Sequence, residues 1–170
     1  MSDTISPTVS PLDSPLASPL ADPDPNAARR HWMSVLARAP AAAIEDGLTR
    51  HGPLPAWTLV RGPETGLVMV RGRAGGSGAP FNLGEMTVTR CTVRLESGVA
   101  GHGHVAGRDG RRAELAAVAD ALLQDGTLCD TLHDTLIRPL AEAQRERRQA
   151  RAEKAAATRV EFFAMRTMRS

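Results

Sequence analysis

A chain of 170 residues with 42% hydrophobic residues has the length and apolar content of one globular domain, and its net charge of +2 excludes a general polyanion binder. Aromatic residues make up only 3% and tyrosine is absent, so alanine, leucine and valine must do most of the packing. There is no run of about 20 apolar residues, and no basic start followed by an apolar stretch; this argues against a membrane span or secretory leader and for a cytoplasmic protein.

Residues 1–26 read as a disordered Ser/Pro-rich tail. Pro7, Pro11, Pro15, Pro19 and Pro23 recur every fourth residue, and proline removes backbone donors and fixes φ. The tail holds Asp3, Asp13, Asp22 and Asp24 and no basic residue. Residues 27–170 read as a single α+β domain. Asn26 is a good helix N-cap, and Trp32, Val35, Leu36 and Ala39 share one helical face. Pro40 stops that helix, and Ile44 and Leu48 mark a second that runs to Gly52-Pro53.

Four strand signals follow, at 57–61, 65–73, 85–95 and 99–106. The second is apolar on both faces through Leu67, Val68, Met69 and Val70, which reads as a central strand. In the third, Met86 and Val88 have the opposite parity to Cys91, Val93 and Leu95, which predicts a β-bulge at Thr89-Arg90. Short connections favour an antiparallel meander. Helices return at Asp109. Leu115, Val118 and Leu122 define an amphipathic face with Gly126 as its C-cap, and Leu128, Leu132, Leu136 and Leu140 form a further stripe that Pro139 should kink. Residues 142–157 are charged and alanine-rich, a solvated helix, and residues 160–165 turn hydrophobic again. The expected architecture is a four-stranded antiparallel sheet flanked by an N-terminal helical pair and C-terminal helices.

Twelve of the fifteen glycines and eight arginines lie between Arg61 and Arg112, against four acids, Glu64, Glu85, Glu96 and Asp109. Arginine offers two-pronged contacts to oxyanions, and glycine permits close backbone approach. Arg71, Arg73, Arg90, Arg94 and Arg108, with the loop glycines Gly75, Gly76 and Gly78, are therefore the candidate phosphate-binding residues. The competing possibility is a salt-bridged, solvated or subunit-facing sheet. The loop lacks the lysine of a Walker motif and precedes no helix. His102 and His104 share a strand face, a two-ligand geometry for Zn or Ni, but spacing fixes no third ligand among Glu85, Glu96 and His133, and no metal is assigned. Cys91 and Cys129 fit no metal spacing and read as free thiols. Asp109 reads as an N-cap. No paired carboxylate or activated nucleophile is evident, so no catalytic residue is assigned. The basic run from Arg145 to Lys154 lacks the interleaved aromatics of a nucleic-acid surface. Trp32, Phe162, Phe163 and Met165 are the candidate partner-docking residues.

Several stretches occur in a specific order and spacing: residues 30–37 (Arg-His-Trp-Met-Ser-Val-Leu-Ala), 64–68 (Glu-Thr-Gly-Leu-Val), 73–78 (Arg-Ala-Gly-Gly-Ser-Gly) with Phe81, 84–90 (Gly-Glu-Met-Thr-Val-Thr-Arg), 93–95, 107–109, 113–114, 120–122, 136–140 (Leu-Ile-Arg-Pro-Leu) and 159–165 (Arg-Val-Glu-Phe-Phe-Ala-Met). Together they resemble the PhnG family, the G subunit of the bacterial carbon–phosphorus lyase core complex, across about residues 27–166. The sequence departs from that pattern at His102 and His104, where related chains usually carry an aromatic, at Arg112 and in the long tail. The resemblance implies an obligate subunit, non-catalytic or co-catalytic, that assembles with H, I and J chains, the I chain as direct neighbour, with an L chain assisting. In such a complex a phosphonate displaces adenine from C1′ of ATP to give a ribose 1-phosphonate 5-triphosphate. ATP is then a co-substrate of the complex, the iron–sulfur cluster and S-adenosylmethionine belong to the J chain, and this chain binds no cofactor itself. Two other functions stay open: a stand-alone nucleotide-binding transferase that uses the arginine face, and a nucleic-acid-binding module that uses the basic C-terminal helix.

Overall fold

The computed structural model describes residues 26–73, 78–126 and 128–158. The tail as far as residue 25, Gly75, Gly76, Phe162, Phe163 and Met165 lie outside the described residues. Helix α1 (Ala27–Leu36) starts after Asn26, whose carbonyl accepts the Arg30 N–H at 2.9 Å. Pro40 is the N-cap of α2 (Ala41–Arg50), in the extended conformation that proline favours before a helix. A three-stranded antiparallel sheet follows, in the order β1 (Trp57–Gly72), β2 (Phe81–Leu95), β3 (Ala100–Ala106). Then come α3 (Gly110–Leu123), the single turn α4 (Cys129–Leu132), one wide π turn (His133–Ile137) and α5 (Arg138–Ala157). The α+β class is as expected, but the sheet has three strands, not four. The two short strands expected at 57–61 and 65–73 are one 16-residue strand. Gly62-Pro63 does not end it, because β2 pairs on both sides and the extra residues are absorbed as register shifts between Leu59 and Arg61 and between Arg61 and Glu64.

β1 is a sheet edge and β2 is central, the reverse of the expectation drawn from the two-faced apolar run. Nor does a bulge occur at Thr89-Arg90. These residues pair in register with Thr65 and Glu64 on one side and with Val105 and His104 on the other. The third register shift falls at Val70/Arg71 instead, opposite Leu83. The change of parity along β2 has another cause. Thr89, Cys91, Val93 and Leu95 face the helices and are buried, whereas Met86 belongs to the opposite, uncovered face.

The core lies between that buried sheet face and the helices. Helix α3 is covered nearly all round, with Ala113, Ala117, Ala119, Ala121 and Leu122 all 0% exposed. Asp109 caps it, accepting the Arg112 N–H at 2.9 Å, and the helix ends with Gln124 in the C-cap position; Gly126 is not the cap. The leucine stripe is buried as expected through Leu132, Leu136 and Leu140, and Pro139 sits in the first turn of α5 directly after the π turn. Buried Thr89 is satisfied by donating to the Gly107 carbonyl at 2.7 Å, with Thr65 Oγ1 3.1 Å away.

Candidate functional site

β3 alternates Gly101-His102-Gly103-His104, and each residue type has a different role. The glycines face α3, where a Cβ on Gly103 would overlap the Ala113 carbonyl and one on Gly101 the Ala117 carbonyl. Helix and strand therefore approach at backbone distance. The two histidines point from the opposite, open face of the sheet. There Glu64, Arg90 and His104 stand in one row across the three strands. Arg90 donates through Nε and Nη2 to Glu64 Oε2 at 3.3 and 3.1 Å, Arg61 lies 3.3 Å from Glu64 Oε1, and Thr92 Oγ1 is 3.2 Å from His102 Nδ1. The row borders a shallow cavity of about 240 Å³.

The expected convergence of arginines on this sheet is not what the structure assembles. Arg90 is paired with Glu64, which it shares with Arg61. By alternation Arg71 lies on the other face, opposite Asn82 near the end of the ribbon. Arg73 reaches across the hairpin to the Gly78 carbonyl at 3.4 Å. Arg94 shares Arg90's face four residues along, and Arg108 is exposed beyond the end of β3. His102 and His104 are joined by no third histidine, cysteine, aspartate or glutamate among the described residues. Trp32, expected at a partner surface, is a core residue, 8% exposed, with its indole N–H bonded to Asp120 Oδ1 at 2.8 Å. The Cys91 thiol is pushed up by burial, and less strongly by Glu114, so it is poorly suited to act as a nucleophile at neutral pH.

Asp120 is the polar centre that sequence reasoning missed. It is fully buried within α3 and accepts from Arg29 Nη2 (2.7 Å) and Nε (3.2 Å), Trp32 Nε1 (2.8 Å), the His102 N–H (2.9 Å) and Gln124 Nε2 (3.2 Å). One carboxylate thus ties α1, α3 and the outer edge of β3 together. Gln124 and Arg112 extend the same edge coverage by donating to the carbonyls of Ala100 and Ala106. The only sequence cue was an acid in the middle of an Ala/Leu helix.

The most conspicuous surface is the β1–β2 ribbon. β3 reaches along β2 only as far as Val88, so the segment from Leu67 to Gly72 paired with Phe81 to Thr87 projects as two strands. Such a ribbon alone is marginally stable in water. Of the eight large hydrophobic side chains exposed among the described residues, six (Leu67, Val68, Met69, Phe81, Leu83 and Met86) lie on this projecting part, and Leu59 and Val60 lie at the base of β1. Leu67 (64% exposed) and Met69 occupy one face, and Val68 and Met86 the other. An apolar surface on both sides of an arm suits insertion between partners better than contact with one flat surface.

The chain is similar to known proteins over most of its length. The family model described as "Phosphonate metabolism protein PhnG" matches residues 27–167. A protein of Rhizobium meliloti (strain 1021) named "Alpha-D-ribose 1-methylphosphonate 5-triphosphate synthase subunit PhnG" is 47% identical over 142 residues, covering 82% of this chain and 88% of that protein.

Proposed function

The chain belongs to the family of phosphonate metabolism protein PhnG, and on that premise we propose that it works as a structural or co-catalytic subunit of a ribose 1-methylphosphonate 5-triphosphate synthase in organophosphonate breakdown. The assembly transfers a phosphonate onto C1′ of the ATP ribose and releases adenine. The H, I and J subunits of the carbon–phosphorus lyase core are its partners in the cytoplasm, with the I subunit in direct contact. The iron–sulfur cluster and S-adenosylmethionine reside on another subunit, and ATP is a co-substrate of the whole. Residues 1–26 serve as a spacer, beyond the one folded domain.

The observation that carries this function is the hairpin, apolar on both faces. A chain that acted alone would leave Leu67, Met69, Leu83 and Met86 in water with no return for the exposure. The polar groups agree with a supporting role. Glu64 is held between Arg61 and Arg90, Asp120 is saturated with donors, and neither is placed as a general base beside a nucleophile.

The test is co-purification of the other core subunits with the tagged chain, followed by an adenine-release assay. The double variant Leu67→Asp/Met86→Asp places a carboxylate on each face of the ribbon. Recovery of partners and adenine release should each fall by at least about tenfold, while the melting temperature of the chain moves by no more than about 3 °C, as is usual for exposed positions. Wild-type chain that captures no core subunit, or turns over ATP unaided, would overturn the proposal.

A further inference from the structure

We infer that the groove between the C-terminal end of α1 and the face of α5 is an anion site built for a triphosphate. Gln144, Arg147, Arg148 and Arg151 stand at positions i, i+3, i+4 and i+7 of α5, one face of the helix, and meet Arg38 just beyond α1. The groove they line has a volume of about 470 Å³, within the range of small-ligand sites, roughly 300–1,000 Å³. Its floor is fixed: Gln144 is buried and donates to the Val35 carbonyl at 2.9 Å, which pins α5 to α1.

The charge arrangement suits an anion. Arg29, Arg61, Arg90, Arg111 and Arg138 each pair with a carboxylate. Arg38, Arg147, Arg148 and Arg151, like Arg50, Arg71, Arg94, Arg108 and Arg145, pair with no carboxylate among the described residues, although Glu142, Glu146 and Glu153 lie on the same helix; what sets these four apart is that they line one groove, where Arg38 donates to Ser34 Oγ at 2.9 Å. Glu153 is instead engaged by Gln149 at 3.0 Å. Like charges at i and i+4, such as Arg147 and Arg151, destabilise a helix, and the end of α1 offsets only part of that through its carbonyl dipoles. Four guanidinium groups around one concavity match a triphosphate, which carries roughly four negative charges near neutral pH, and their forks suit its oxygens. Among the described residues the groove has no aromatic wall on which a base would stack, which disfavours single-stranded nucleic acid. That the triphosphate is the one carried by the ribose substrate rests on the function proposed above; the anion site itself does not.

Calorimetric titration of the purified full-length chain with inorganic tripolyphosphate tests the site. Saturable binding is expected, at least about tenfold weaker in Arg147→Gln/Arg151→Gln and weakened further by salt. The same substitutions in the assembled complex should raise the KM for ATP without reducing co-purification of the other subunits. Unchanged tripolyphosphate affinity in the variant would overturn the inference. So would loss of co-purification with affinity intact, since the groove would then dock an acidic partner surface, or equally tight binding of single-stranded RNA. Tripolyphosphate bound by a chain that captures no core subunit would keep the site while removing the proposed function.

Discussion

Asp120→Ala is expected to lower stability by about 3–5 kcal/mol, the scale of removing one partner from a buried ion pair. Arg29 keeps 31% side-chain exposure and can turn to water, but the Trp32 indole N–H and the His102 backbone N–H lose their acceptor inside the protein. Each such orphan costs about 1–3 kcal/mol. For a domain of this size the melting temperature should drop by about 10 °C or more. Asp120→Asn keeps the volume and one carbonyl oxygen, so its loss should be intermediate. The two variants therefore separate lost charge from lost packing. A melting temperature within about 2 °C of the parent for the alanine variant would mean that the clasp contributes nothing.

Gly103→Val should be as damaging, through geometry alone. Ala113, Ala117 and Ala121 recur every fourth residue along α3, and their turns lie directly over Gly103 and Gly101. A side chain at Gly103 meets the Ala113 carbonyl and the Ala117 nitrogen, which are backbone atoms and cannot swing aside. Overpacking of this kind costs about 1–3 kcal/mol when side chains can adjust, and more when the obstacle is a helix backbone. Loss of soluble expression or a transition lowered by more than about 3 kcal/mol is expected. Gly66→Ala is the control: nothing lies within 4 Å of its new Cβ, and its stability should stay within about 0.5 kcal/mol. Equal tolerance at Gly66 and Gly103 would refute the backbone-contact explanation.

The helices and the α+β class were legible because apolar spacing and caps are local signals. Trp32, Val35 and Leu36, the Leu132–Leu136–Leu140 stripe and the Asp109 cap all occur where periodicity places them. Strand number and order were less legible. Gly62-Pro63 is a break by composition, yet pairing to β2 carries the strand through it. The apolar run at 67–70 has the pattern of a central strand. It is an edge arm exposed on both faces, because sequence shows that a side chain needs burial but not whether its own chain or another provides it.

The chain's order of residues thus determined its helices, its cap, its mixed class and its family, all of which depend on neighbours within a few positions or on motif spacing. Charge partners were decided only by tertiary structure. Asp120 lies 91 positions from Arg29, Glu64 26 from Arg90, and Arg38 more than 100 from the arginines of α5 that it faces. An arginine reads the same in sequence whether or not a carboxylate lies beside it. Folding paired Arg90 with Glu64 on the sheet and left the α5 guanidiniums together without a carboxylate among the described residues, because electrostatic energy depends on distances through space that spacing along the chain does not encode.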